Sequence, residues 1–560
     1  MSSTVIIVFA VTAFIAGYLI YGRYLAKKFG LDINRSTPAH SMRDNVDYVP
    51  AKWPVLFGHH FASIAGAAPI IGPVTAAVFG WVPVLLWIVL GSIFLGAVHD
   101  FTSLVASIRH KGQSIGEVIR EHIGSTGKQL FLIFAWSTLI LVIAAFVILV
   151  AKTFIMTPEV ATSSGLFLIL AVFFGFSVYR KNLSIGIATL IGVVLLLICI
   201  YAGLAAPAAI SRSPQTAQQA WTWIILAYIF IASVTPVWIL LQPRDYLNSF
   251  LLYMILISAF IGILVKNPAV HFPAFTHFYD PHMGAMFPIL FVTVACGAIS
   301  GFHSLVASGT TAKQLDREPD ALKIGYGGML VEGLLAVIAL IAAVTLIPVH
   351  YRDFFPVGGK ANPIGLFASS VGGFISVLGI PQKAAVTFAA MAVSAFALTS
   401  LDTATRLGRF IFQEFFRSEN KTKVNTFLTN RFVATFFTVL PGGLLALTGQ
   451  YQSIWPIFGS ANQLLAALAL LAGSVWLAKL KKKNFFLVIP MIFMFAVTLT
   501  ALVFLIIKKL KIIYGFFILG EKQLQIGITG TIFLLIIAVL LFSVAVILAK
   551  QAAMSLTKKD

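Results

Sequence analysis

Charge is the first thing this sequence lacks. Only 10% of its 560 residues are Asp, Glu, Lys or Arg, against about a quarter in an ordinary soluble domain. So few charges leave no room for a soluble catalytic domain. Cysteine is almost missing too: Cys199 and Cys296 each sit within an apolar run, which excludes a disulfide scaffold and a Cys-rich metal site. Acidic residues are scarce, 19 against 39 Lys and Arg, giving a net charge of +20. The basic residues form short clusters between apolar runs rather than a folded basic domain. Positive-inside placement and attraction to anionic lipid account for them, and no nucleic-acid partner is expected. Residues 1–4 carry no positive charge, and the first apolar run extends past Ile20 to Arg23, Lys27 and Lys28. That pattern predicts a retained first helix rather than a cleaved signal.

What is present is apolar material. Hydrophobic residues make up 59% of the chain and the mean hydropathy is +0.96. An apolar stretch of about 20 residues crosses the hydrocarbon core as a helix. Fifteen such stretches are predicted, near 4–26, 54–79, 81–108, 129–152, 163–178, 184–206, 221–241, 247–265, 285–309, 326–347, 383–400, 430–449, 455–478, 485–507 and 526–549. The Gly/Ser-rich stretch 365–379 reads as a re-entrant or interfacial piece. The fold class is therefore an all-α polytopic membrane bundle. Basic clusters recur in alternate loops, including Arg109, Lys111 and Arg120, then Arg406 and Arg409, then Lys479 and Lys481–Lys483. This bias puts the N-terminus outside and the C-terminus in the cytoplasm. Lys508, Lys509 and Lys511 fall on the outer side and disagree with it.

The second span reads GHHFASIAGAAPIIGP from Gly58 to Pro73, with Gly66, Ala67, Pro69, Gly72 and Pro73 close together. Prolines remove backbone hydrogen bonds and glycines permit non-helical angles. The freed groups are tolerable at membrane depth only where they bind something or line a cavity. One reading is a discontinuous substrate-binding helix; the other is a kinked small-residue packing seam. A second interruption is predicted at Ile231–Ser249, where Pro236 follows Ser233 and Thr235 and precedes Trp238. Pairing the two breaks gives inverted repeats of five helices each, spans 2–6 and 7–11. The units would be 1–53 (an extra helix and loop), 54–206, 221–402, and additional helices over 430–560. Substrate-contacting candidates are Gly66, Ala67, Pro69, Gly72, Ser233, Thr235 and Trp238.

In the ninth span Ser300, His303, Ser304 and Ser308 recur at helical spacing. With the Gly66 backbone, Ser300 and Ser304 are the candidates for holding a cation such as sodium, or they form a packing stripe. Ionisable residues inside or at the edge of spans are costly and mark coupling candidates: His59, His60, His99, Asp100, Glu332 and Asp402. For Asp100 and Asp402 the alternative is static pairing with Arg109 and Arg406. The histidine pair also suggests haem, but adjacent histidines cannot both face one iron, and CxxCH is absent. No cofactor is expected beyond a coupling ion, H+ or Na+.

Long runs carry a family likeness: DYVPAKWPVLFGHHFASIAGAAPIIGP (47–73), GAVHDFTSLVASIRHKGQSIGEV (96–118), TPVWILLQPRDYLNSF (235–250), SGFHSLVASGTTAKQL (300–315), LTSLDTATRLGRFIFQE (398–414) and WPIFGSANQLLAALAL (455–470). On these the chain resembles the carbon starvation protein CstA family, which is similar to carriers of the amino-acid/polyamine/organocation superfamily. The resemblance implies a LeuT-like five-plus-five inverted-repeat core. It also implies uptake across a bacterial inner or plasma membrane, linked to starvation. The implied substrate is a short peptide, with pyruvate or another small carboxylate as the alternative and no obligate protein partner. Without the resemblance, a passive channel remains the rival class.

Overall fold

A computed structural model describes residues 2–44, 48–181, 183–211, 213–236, 239–281, 283–355, 361–416, 427–448, 451–518 and 528–557. Among them the chain is helical almost throughout. In order, the helices of more than seven residues are α1 (Ser3–Phe29), α2 (Trp53–Ile64), α3 (Ala68–Phe79), α4 (Trp81–Arg109), α5 (Ile115–His122), α6 (Ser125–Met156), α7 (Pro158–Tyr179), α8 (Ile185–Ala205), α9 (Pro214–Val234) and α10 (Leu241–Lys266). They continue with α11 (Met286–Thr293), α12 (Phe302–Gly309), α13 (Leu322–Val344), α14 (Pro363–Leu378), α15 (Gln382–Phe416), α16 (Arg431–Leu447), α17 (Tyr451–Lys479), α18 (Phe485–Ile518) and α19 (Ile528–Thr557). The one β ladder among the described residues pairs Tyr279–Asp280 with Gly284–Ala285, in the connection before α11.

Twelve helices among the described residues are long and apolar enough to cross a membrane, thirteen if the bent pair α2–α3 is one span. The expected fifteen is not reached on length and composition. The ninth expected span is split into short pieces, and α16 has only 17 residues. The stretch at 365–379 forms the short helix α14. Lys508, Lys509 and Lys511 lie within α18, which runs on to Ile518, so they do not mark a loop.

Burial sorts the bundle into centre and rim. In the most apolar 18-residue stretch of each helix, 89% of the residues are buried in α6, 94% in α17, and 83% in α13 and in α15, against 28% in α8. Helices α6, α13, α15 and α17 thus form the centre of the bundle, and α8 lies at its rim.

Two helices are broken at the centre. Helices α2 and α3 meet at 49° across Ala65–Ala67, with Pro69 in the first turn of α3. This is the break expected from the Gly/Pro density. The second break lies elsewhere than expected. Helix α9 ends at Val234 and α10 begins at Leu241, and each is a full-length span. The segment 286–309 is interrupted instead: α11 stops at Thr293, one turn spans Ala295–Ala298, and Ile299 is extended (φ −159°, ψ 135°) before α12. The unwound backbone is held from outside, since the Gly301 N–H donates to the Asn462 carbonyl at 3.0 Å. A Cβ on Gly301 would lie 2.3 Å from that oxygen, so only glycine fits. The two broken helices cross at Gly72, where a Cβ would be 2.5 Å from the Thr293 carbonyl oxygen.

Candidate functional site

The two breaks share a small enclosed cavity of about 10 Å³. Ile64, Gly66 and Ala68 border it from the first break, Cys296 and Phe302 from the second. Val142 and Phe146 of α6, Ser400 of α15, and Phe458 and Asn462 of α17 complete it. At that volume it holds about one water, so this conformation is closed around the site. Its polar lining is specific. Asn462 accepts from the Phe302 N–H at 2.9 Å and donates to the Ser300 hydroxyl at 3.0 Å. The buried Ser400 hydroxyl has no hydrogen-bond partner among the described residues. The roomier concavity of about 640 Å³, beside Trp87, Phe291 and Phe493, is a groove of the outer face: Leu86, Leu90 and Phe94 beside it are exposed.

Next to the cavity runs a fully buried chain of titratable groups. His99 Nδ1 meets Asp100 Oδ1 at 2.7 Å, and Asp100 Oδ2 meets His303 Nδ1 at 2.7 Å. His303 Nε2 faces Glu332 Oε2 at 3.3 Å, within ion-pair range but not aligned as a hydrogen bond. All four side chains have zero exposure. The chain therefore links α4, the half-helix α12 and α13. His60 on α2 bonds Thr311 through Nδ1 at 2.8 Å, and its ring faces Gly328 of α13, where a Cβ would lie 3.3 Å from it. Each ring of His303 and His60 is thus carried by a half-helix that ends at a break.

A second buried cluster surrounds Arg244 at the start of α10. Its guanidinium contacts Asp402 through Nη1 and bonds Asp245 through Nη2 at 2.8 Å. Tyr228 donates to Asp402 at 2.5 Å and lies 2.9 Å from Arg244. His59 Nδ1 lies 3.5 Å from Asp245. One guanidinium thus faces two carboxylates, with His59 the remaining group able to carry positive charge.

The predicted residues divide by place. His99, Asp100 and Glu332 lie in one buried network, His59 and Asp402 in the other, and His60 between α2 and α13. The static pairings considered for Asp100 and Asp402 do not form: Arg109 bonds Glu318 at 2.9 Å, and Arg406 bonds the carbonyls of Ala232 and Thr235 at 2.8 and 2.7 Å. Gly66 borders the cavity, Ala67 and Pro69 open α3, and Gly72 lies at the helix crossing. Ser233 and Thr235 belong to the end of α9, where Ser233 meets Thr435 at 3.2 Å and the Thr235 hydroxyl donates to Ile231 O at 2.7 Å. Trp238 lies outside the described residues. Ser304 donates to the Gly301 carbonyl at 2.7 Å, while Ser300 is engaged by Asn462. Sequence reasoning missed Arg244, Asp245, Tyr228, Ser400 and Asn462, and left His303 out of the coupling set. The signal for the first two was there: QPRDY puts an Arg–Asp pair inside an apolar run.

The profile of the family described as Carbon starvation protein CstA matches residues 2–358 and 355–501. This chain belongs to that family. Among CstA relatives, it is 34% identical to the peptide transporter CstA of Campylobacter jejuni, covering 89% of this chain and 80% of that one. It is 32% identical to the pyruvate/proton symporter BtsT of Escherichia coli over 95% and 85% of the two chains. Among solved structures, a manganese transporter of Eremococcus coleocola superposes with a TM-score of 0.50 over 92% of this chain and 99% of its own, at 11% identity. At that identity the likeness is one of fold.

Proposed function

We propose that this CstA-family chain is a proton-coupled secondary transporter of the bacterial cell membrane that imports short peptides by alternating access. The carrying observation is the juxtaposition of a closed cavity at two crossed helix breaks with the buried His99–Asp100–His303–Glu332 chain. Broken helices at a closed central site are how many secondary carriers expose backbone groups to substrate. Curated relatives with 34% identity are named as peptide transporters.

The core reads as two inverted five-helix repeats, the first α2–α3, α4, α6, α9 and α10, the second α11–α12, α13, α15, α16 and α17. Matched packing supports this. Helix α6 packs on α16 and α17 as α15 packs on α9 and α10, and the short α5 on α6 and α17 as α14 on α15 and α10. The repeats then cover 53–266 and 286–479 in place of 54–206 and 221–402, with α7–α8 an inserted hairpin. Counting 286–309 and α16 as crossings restores fifteen, with the N-terminus outside and the C-terminus in the cytoplasm.

In this reading the Gly66–Pro69 backbone, Ser400 and Asn462 meet the substrate, and Ser233 and Thr235 terminate α9. His303 moves with α12 while Asp100 and Glu332 stay on α4 and α13. Loading or releasing a proton along that chain changes how firmly the half-helix is held, which biases the two conformations. The proton is favoured over sodium because the Ser300 and Ser304 hydroxyls are already bonded within the protein. A second reading, pyruvate as substrate, is favoured by the small cavity and by the 32% identity to a pyruvate/proton symporter. Counterflow in proteoliposomes decides between them: labelled dipeptide should exchange and labelled pyruvate should not. Exchange of pyruvate alone would replace the peptide reading, and exchange of neither would remove both.

A further inference from the structure

The connection between α4 and α5 contains a site separate from the buried networks. Lys111 (φ 59°) and Gly112 (φ 68°) are left-handed, and this tight reversal turns α5 back along the end of α4. As a result, His110, the residue after α4, faces Glu121 and His122 in the last turn of α5. The two Nε2 atoms are 3.1 Å apart, and Glu121 Oε2 lies 3.8 Å from His110 Nε2.

We propose that His110, Glu121 and His122 form a binding site for a borderline divalent transition metal of the zinc, cobalt or nickel class. Three observations carry it. The donor set, two imidazoles and a carboxylate, suits such ions, and ligand bonds of about 2.0–2.2 Å put two coordinating nitrogens roughly 3.3 Å apart. His110 Nδ1 lies 2.6 Å from the Ala106 carbonyl, so it is Nδ1–H that donates and Nε2 that presents its lone pair to the site. A ligating imidazole is commonly fixed by such a bond on its other nitrogen. Finally, α4 and α5 both end here, and the negative ends of two helix dipoles favour a cation. Lys479, at the end of α17, lies within electrostatic range of His122 and opposes it. The Glu121 carboxylate, 63% exposed, supplies the compensating charge and leaves the ion open to solvent. A bound ion would pin α5 to α4, and α5 also packs on α6 and α17. The site is therefore suited to damping movement at that end of the bundle.

The test uses the untagged full-length chain, purified in detergent, stripped with chelator, and titrated with ZnCl2 by calorimetry and with CoCl2 by visible absorption. One Zn2+ should bind per chain, and Co2+ should give a saturable visible band. His110→Gln and His122→Gln should each remove that band and weaken Zn2+ binding at least ~10-fold. Glu121→Gln should weaken it less, and His271→Gln, at an exposed position, should leave it unchanged. Gel filtration reports whether each variant is folded, and the exposed Glu121 decides if a histidine variant is not. Absence of saturable Zn2+ binding in the wild type would overturn the proposal, leaving the two rings joined by one hydrogen bond. Binding that survives in the folded variants would overturn it equally.

Discussion

The two glycines beside the first break should respond differently to the same added methyl group. At Gly72 a Cβ would lie 2.5 Å from the Thr293 carbonyl oxygen and 2.9 Å from Val294 Cα, both backbone atoms of the other broken helix. Ordinary carbon contacts are about 3.5–4.0 Å, so the crossing must open by up to ~1 Å. Overpacking of this kind costs about 1–3 kcal/mol, and the better helix propensity of Ala returns at most ~1 kcal/mol. At Gly66 the nearest atom is the Ser400 hydroxyl oxygen at 2.6 Å, a side-chain atom with no hydrogen bond to lose. Rotating it costs under ~1 kcal/mol, but the methyl intrudes on a cavity of about 10 Å³. Gly72→Ala should therefore lower the melting temperature in detergent clearly more than Gly66→Ala does. Gly66→Ala should stay folded and lose counterflow, with Gly66→Val losing it completely. If Gly66→Ala were the less stable variant, or exchanged substrate like wild type, the placement of these residues would be wrong.

Three further outcomes follow from named contacts. Arg244→Met strands Asp245 and Asp402 without their cation and should cost about 3–5 kcal/mol; Asp402→Asn, which leaves the Arg244–Asp245 pair, should cost less, and thermal melts of both compare them. Asn462→Ala removes the acceptor of the Phe302 N–H and the donor to Ser300; it should destabilise by about 1–3 kcal/mol and raise the substrate concentration needed for half-maximal counterflow. Glu318 accepts from Arg35, Arg109 and the Asp32 N–H at 2.9–3.0 Å. Because Glu318 and Arg109 are only 2% and 16% exposed, Glu318→Gln leaves a largely buried cation without its counter-charge and should cost about 3 kcal/mol, read as a clear drop in melting temperature.

The first break was legible because it is written in covalent terms: two prolines and two glycines within Gly66–Pro73 leave a regular helix too few hydrogen bonds. The second was not. Cys296–Thr311 contains no proline, and its serines recur at helical spacing, so it reads as one continuous face. What unwinds it is a tertiary partner, the Asn462 side chain and carbonyl, more than 150 residues away. Conversely, Pro236 looked like an intramembrane break and is a connection, because Arg406 and Arg409 take up the carbonyls where α9 ends. The candidate ionisable residues were recognisable singly from the cost of burying charge. Their grouping was not, since the partner of Asp402 is 158 positions away. Nor did helical spacing anticipate that the neighbours His99 and Asp100 bond each other at 2.7 Å.

The account turns on His303, which joins Asp100 to Glu332 across the half-helix α12. The decisive measurement compares substrate counterflow with proton-gradient-driven accumulation in proteoliposomes containing wild type or His303→Gln, with Asp100→Asn in parallel. Glutamine occupies a similar volume and can hydrogen-bond, but it cannot carry the proton. Counterflow should persist and gradient-driven accumulation should be lost. Folded His303→Gln protein that still accumulates substrate to the wild-type level under a proton gradient would contradict the account.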